Sequence, residues 1–100
     1  MDKMNRRIVS AICRGYYERK RRIDKQASDP AVLDEYKRLN TAIDRAMFIL
    51  PDEYVQDIIK KAVTTGAGFD RIGEAYLGRR QYYQYKGKVM ANIAQTLNLE

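Results

Sequence analysis

Apolar positions recur three or four residues apart along nearly the whole chain, the spacing that lines one face of an α-helix. Met4, Ile8, Ile12, Tyr16 and Ile23 form a first stripe, flanked by Val9, Ala11 and Cys13, which predicts a helix from Asp2 or Lys3 to Gln26 that Gly15 weakens slightly. Ser28-Asp29-Pro30 is a start signal: Asp29 can cap free amide groups and Pro30 is preset for a first helical turn. Beyond it Val32, Tyr36, Leu39, Ile43, Ala46 and Leu50 alternate in steps of four and three, a heptad-like seam suited to packing lengthwise on the first helix. The short connection predicts an antiparallel helical hairpin over residues 1–50.

Pro51-Asp52-Glu53 opens the second half and places a proline and two acids in a first helical turn, where they complement the helix dipole. Val55, Ile58, Ile59, Ala62 and Val63 face inward on a third helix that Thr64–Gly68 ends. Phe69 to Leu77 reads as a short helix with Phe69, Ile72, Tyr76 and Leu77 toward a core and Gly73 allowing close approach. Gly78 then breaks the chain before a last helix carrying Tyr82, Tyr85, Val89, Ile93 and Leu97 on its apolar face, joined by Met90 and Ala94. No segment alternates apolar and polar residues between turns, so the expected class is all-α: the hairpin, then a three-helix domain over residues 51–100. A helix ending in glycine, a short helix and a glycine turn into a basic helix form a helix-turn-helix pattern.

Charge sharpens this picture. The 100 residues carry a net +6, but residues 1–26 hold nine Lys/Arg against three Asp/Glu, residues 27–57 three against seven, and residues 58–100 seven against three. Basic ends around an acidic middle favour an acidic partner. With no His and one Cys, neither a zinc site nor a Cys/His nucleophile pair can be assembled, and Cys13 reads as a semi-buried small hydrophobe. Asp52, Glu53 and Asp57 lie close together without a companion base or a phosphate-cradling loop, so neither catalysis nor a cofactor or metal is expected. The lone thiol, the lack of a membrane-length apolar run and the absence of a signal-type N-terminus point to a cytoplasmic protein without a membrane partner.

The polar side of the last helix carries the functional reading. Arg79, Arg80, Gln81 and Gln84 occupy its first turns and are candidates for base-edge contacts in a major groove, since Arg and Gln bond bases bidentately. Tyr83 sits beside them, placed for a phosphate, a thymine methyl or the scaffold helix, while Tyr82 and Tyr85 read as core. Lys86 and Lys88, with Arg71 on the preceding helix, suit backbone phosphates. The plain alternative is a solvated helix face. A second cluster, Arg19-Lys20-Arg21-Arg22 with Lys25, fits a solvated face, a nucleic-acid backbone, or Asp34, Glu35 and Asp44 of another subunit.

The order Tyr54-Val55 to Gly66, Phe69-Asp70-Arg71-Ile72-Gly73-Glu74-Ala75-Tyr76-Leu77, Gly78-Arg79-Arg80-Gln81-Tyr82-Tyr83-Gln84-Tyr85-Lys86 and Ile93-Ala94-Gln95-Thr96-Leu97 resembles the ArpU and RinA type of phage late-gene transcriptional regulators. Tyr82-Tyr83 followed by Tyr85-Lys86, with Ile93-Ala94 and Leu97 beyond, is the strongest part; Gly78 stands where Ser or Thr is common and Gly73 where Ala is usual. The resemblance implies a phage or prophage transcription regulator whose C-terminal domain is similar to sigma factor region four and which binds double-stranded DNA. The stripe of the hairpin has core packing as its simplest role and dimerisation with a second copy or contact with RNA polymerase as its sharper one. Two other readings stay open: a DNA-packaging factor similar to a small terminase subunit, and a helical protein-interaction adaptor without specific DNA binding.

Overall fold

The computed structural model describes residues 2–66, 68 and 77–99, and these form an all-α protein with no strand among the described residues. Its helices are α1 (Lys3–Arg14), α2 (Tyr16–Lys25), α3 (Pro30–Ala46), α4 (Glu53–Thr65) and α5 (Arg79–Thr96), with a 3-10 turn at Met47–Ile49. The short helix expected over Phe69 to Leu77, with Arg71 and Gly73, lies outside the described residues except for Leu77, which is buried in the core.

Local chemistry sets most of the boundaries. The Asp2 carboxylate accepts from Asn5 N at 2.9 Å, Asp29 from Ala31 N at 2.9 Å and Asp52 from Val55 N at 2.9 Å, so three helices start on an aspartate that satisfies a first-turn amide. Pro30 follows Asp29 as the first helical residue, as its fixed φ favours. Gly66 closes α4 at φ 71°, a left-handed conformation that costs glycine little. Gln26 adopts the same region (φ 48°) at the end of α2, where Ala27 N reaches back to Arg22 O at 3.0 Å. Gly78 precedes α5 in an extended conformation and brings no side chain to cap it.

The single helix expected from residue 2 or 3 to 26 is two helices meeting at Gly15. Their junction is set by Arg19, whose side chain folds back across the break. Its Nη2 donates to the Ile12 carbonyl and its Nε donates to Asn40 Oδ1 at 2.8 Å. A Cβ on residue 15 would collide with that guanidinium, so glycine leaves Arg19 room to bridge the junction.

The break also divides the packing. α2 packs on α3, forming the hairpin, whereas α1 packs mainly against α4 and α5, and α3 also touches α5. One hydrophobic cluster therefore runs across residue 50, joining Val9, Cys13 and Tyr16 to Ile43 and Ala46, to Val55, Ile59 and Ala62, and to Tyr82, Val89 and Ile93. The first stripe is rotated from its expected position: Met4 is 72% and Ile8 40% exposed, while Val9 and Cys13, expected as flanks, have no exposure. In α3, Leu33 is buried in place of the exposed Val32, and Ala42, Ile43 and Ala46 carry the contact with the core. The apolar faces of α4 and α5 lie where the spacing places them, with Val55, Ile59, Ala62, Val63, Tyr82, Val89, Ile93 and Leu97 all buried.

Gly87 interrupts the middle of α5 with open space where its Cβ would point. Replacing it with alanine removes the entropic cost of a helical glycine and should raise unfolding stability by about 1 kcal/mol. An upward shift of the urea midpoint at constant m-value checks this, and an unchanged or lower midpoint contradicts it.

Candidate nucleic-acid interface

Burial of one face decides what the other face of α5 presents. Tyr82, Val89 and Ile93 have no exposure, so the helix cannot rotate about its axis without opening the core. Arg79, Arg80, Gln81, Gln84 and Lys88 are exposed, and Tyr83 is 45% exposed between them. Lys86 is half-buried on the side toward α1. Arg80, Gln81, Gln84 and Lys88 thus lie away from the buried stripe, Arg79 and Tyr83 stand at its edge, Lys86 is on the α1 side, and Arg71 lies outside the described residues.

Several contacts organise that surface. Gln81 Nε2 donates to the Tyr85 hydroxyl at 3.2 Å, one turn along, which orders the amide at the front of the helix. Tyr85 is only partly buried and packs against the core edge. The Tyr82 and Tyr83 rings meet edge to face at 5.0 Å between centroids, and the Lys86 ammonium lies 6.0 Å from the Tyr83 centroid. Tyr83 is therefore anchored at its base and open along its flank. Burial, and then the neighbouring Tyr83, push the Tyr82 phenol above its usual pKa, as suits a ring held in the core.

The N-terminal basic run is not one surface. Arg19 is only 9% exposed and belongs to the α1–α2 junction, where burial lowers its guanidinium pKa. Arg21 makes a bidentate pair with Glu18 at 2.6 and 3.0 Å, and Arg22 Nε reaches the same carboxylate at 3.0 Å. Together, with Arg21 foremost, they hold the Glu18 carboxyl down to about 2. Lys20 and Lys25 are the exposed residues of the run outside this cluster. Of the acids considered as their partners in another subunit, Glu35 already holds Arg38 at 2.7 Å. Asp44 accepts from the Tyr16 hydroxyl at 2.7 Å and pairs with Lys60 at 3.0 Å, which also lies over the Tyr16 ring at 4.6 Å.

Sequence spacing missed the Arg19–Asn40 pair. Its only signal was an asparagine one turn from both Tyr36 and Ile43 on the inward face of α3, where a polar group requires a partner.

Cys13 is fully buried, and burial pushes its thiol up to about 11, with the Arg19 and Lys86 charges opposing in part. The thiol stays neutral in the folded state after the unfolded one, with a reference pKa of 9.0, has begun to ionise. Its contribution to stability is thus complete below pH 9 and is lost as pH rises toward about 11. At pH 8 a thiol reagent should modify Cys13 only at the rate of unfolding, and stoichiometric labelling within the mixing time would refute its inertness.

No helix among the described residues is long and apolar enough to cross a membrane, and no group of three or more His, Cys, Asp or Glu among them is placed to hold a metal ion. No protein-family model matches the chain, and neither a curated protein nor a solved structure matches it.

Proposed function

We propose that the protein is a sequence-specific double-stranded DNA-binding transcriptional regulator that reads the major groove with the first turns of α5. The observation that carries this reading is the exposure of Arg79, Arg80, Gln81 and Gln84 in the first turns of a helix whose orientation is locked by the buried Tyr82, Val89 and Ile93. Arginine and glutamine there combine planar hydrogen-bonding groups suited to base edges with a rigid mount. Lys88 and Lys86 follow along the helix and supply charge for phosphates. In this reading Arg71 adds a phosphate contact from the preceding segment, the gene is of phage or prophage origin, and the protein works in the bacterial cytoplasm.

Fluorescent duplexes tiled across the DNA flanking the gene, titrated at two salt concentrations, test this directly. One tile bound far above the others at both salts supports a regulator. Equal, steeply salt-dependent binding to every tile would leave phosphate attraction alone, and the chain would then be better described as an adaptor with basic faces.

A further inference from the structure

The face of α1 that turns toward α5 is built as regularly as the proposed reading face. Arg6, Ser10 and Arg14 stand four residues apart, on one side of the helix and about 6 Å from one another along its axis. Between this row and α5 runs an open groove lined by Arg6, Ser10, Tyr83, Lys86 and Gly87, with Met90 at its base. It continues into a smaller cleft that Ser10, Lys86 and Met90 share with Arg14.

Among the described residues, neither part is lined by a carboxylate. Two other surface grooves differ: one carries Asp44 and Asp57 beside its lysines, the other Asp34 beside Lys37 and Arg38. Cations gathered without acids raise the local potential for an anionic ligand.

A second observation concerns Gly87, exposed on the wall of this groove. Its backbone has no left-handed angle and its missing Cβ would meet nothing, so nothing inside the described structure requires glycine there. A bare stretch of helix that the fold does not need is what close approach by an external backbone calls for.

The groove also continues the proposed reading face. Arg80, Gln84, Gly87 and Ala91 form one stripe at helical spacing, and Gly87 lies about 10 Å along the axis from Arg80. That distance is comparable with the roughly 12 Å width of a major groove. If α5 crosses toward the backbone from a groove that Arg80 enters, a flanking strand would come within reach of Gly87.

From these observations we infer that the α1–α5 groove seats the sugar–phosphate backbone of duplex DNA, with Arg6 and Lys86 on the phosphates, Ser10 as a neutral hydrogen-bond donor and Gly87 as the point of closest approach. The inference rests on the DNA-binding reading and makes α1 a second DNA-contacting element.

The test uses the full chain, the best-bound tile and an unrelated duplex of equal length. Arg6→Ala should weaken both complexes by a similar factor and reduce the slope of log affinity against log salt by about 1. Gly87→Glu, which puts a carboxylate against the phosphates, should weaken both roughly tenfold or more, with an unchanged circular dichroism spectrum. Gly87→Ala should melt higher than wild type and yet bind more weakly. If wild type selects its tile and Arg80→Ala abolishes that selection while Arg6→Ala and Gly87→Glu bind with wild-type affinity and slope, the groove inference is overturned and the reading helix stands. If wild type binds no duplex at low salt, both fall together.

Discussion

Replacing Arg79 and Arg80 together with alanine should erase discrimination between the preferred duplex and an unrelated one. A bidentate contact to a base contributes about 1–3 kcal/mol of discrimination. Losing two should weaken the preferred complex by roughly 30-fold or more. Binding to unrelated duplexes should fall much less, because only the charge term is lost there. Both residues are exposed at the start of α5, so the melting temperature should stay close to that of wild type. Lys88→Ala makes the informative contrast: a phosphate contact lowers affinity on every sequence alike and leaves the ratio intact. Measured affinities on the two duplexes decide the matter. A ratio that survives the double substitution would remove α5 as the reading element.

The largest effect on stability should come from a residue far from that surface. Asn40 is 7% exposed and ties α3 to α2 twice: it accepts from Arg19 Nε at 2.8 Å and donates to the Tyr16 carbonyl at 3.1 Å. Asn40→Leu would leave the buried Arg19 guanidinium with the Ile12 carbonyl but without its side-chain acceptor. A buried charged donor that loses its partner is expensive, and the expected loss is about 2–4 kcal/mol. For a chain of this size that lowers the melting temperature by roughly 10–25 °C. Removing the charge as well should recover much of the loss, so Asn40→Leu should be far less damaging in an Arg19→Leu background. Equal destabilisation in both backgrounds would mean that Asn40 acts through its bond to the Tyr16 carbonyl and its shape, and not through Arg19.

These two predictions fall on residues of very different legibility. The exposure of Arg80, Gln81 and Gln84 follows from the period of the helix, since Tyr82, Val89 and Ile93 can only be buried together if those side chains point away. Arg79 shares the angular position of the buried Leu97 and is exposed at the helix start only because of how the helices pack. Nothing comparable distinguishes Arg19 from its neighbours Lys20, Arg21 and Arg22, which read as one basic run. Arg19 is buried because Asn40 stands opposite it, 21 residues away in the chain, and because Gly15 leaves room for its guanidinium. The same holds for the α1 stripe. Met4, Ile8 and Ile12 are as regular as Val9, Cys13 and Tyr16, and spacing alone cannot choose between two overlapping faces.

What the sequence by itself determined is what short-range physics controls. The Asp29 cap and Pro30 start α3, Gly66 ends α4, and helical periodicity sets the all-α class and the inward faces of α4 and α5. The tertiary structure alone decided that the first helix breaks, that its second half pairs with α3 while its first half joins α4 and α5, and that Arg6 and Lys86 border one groove. Each of those outcomes depends on contacts between residues far apart in the chain, whose free energy exists only once the helices have docked, and no local pattern records it.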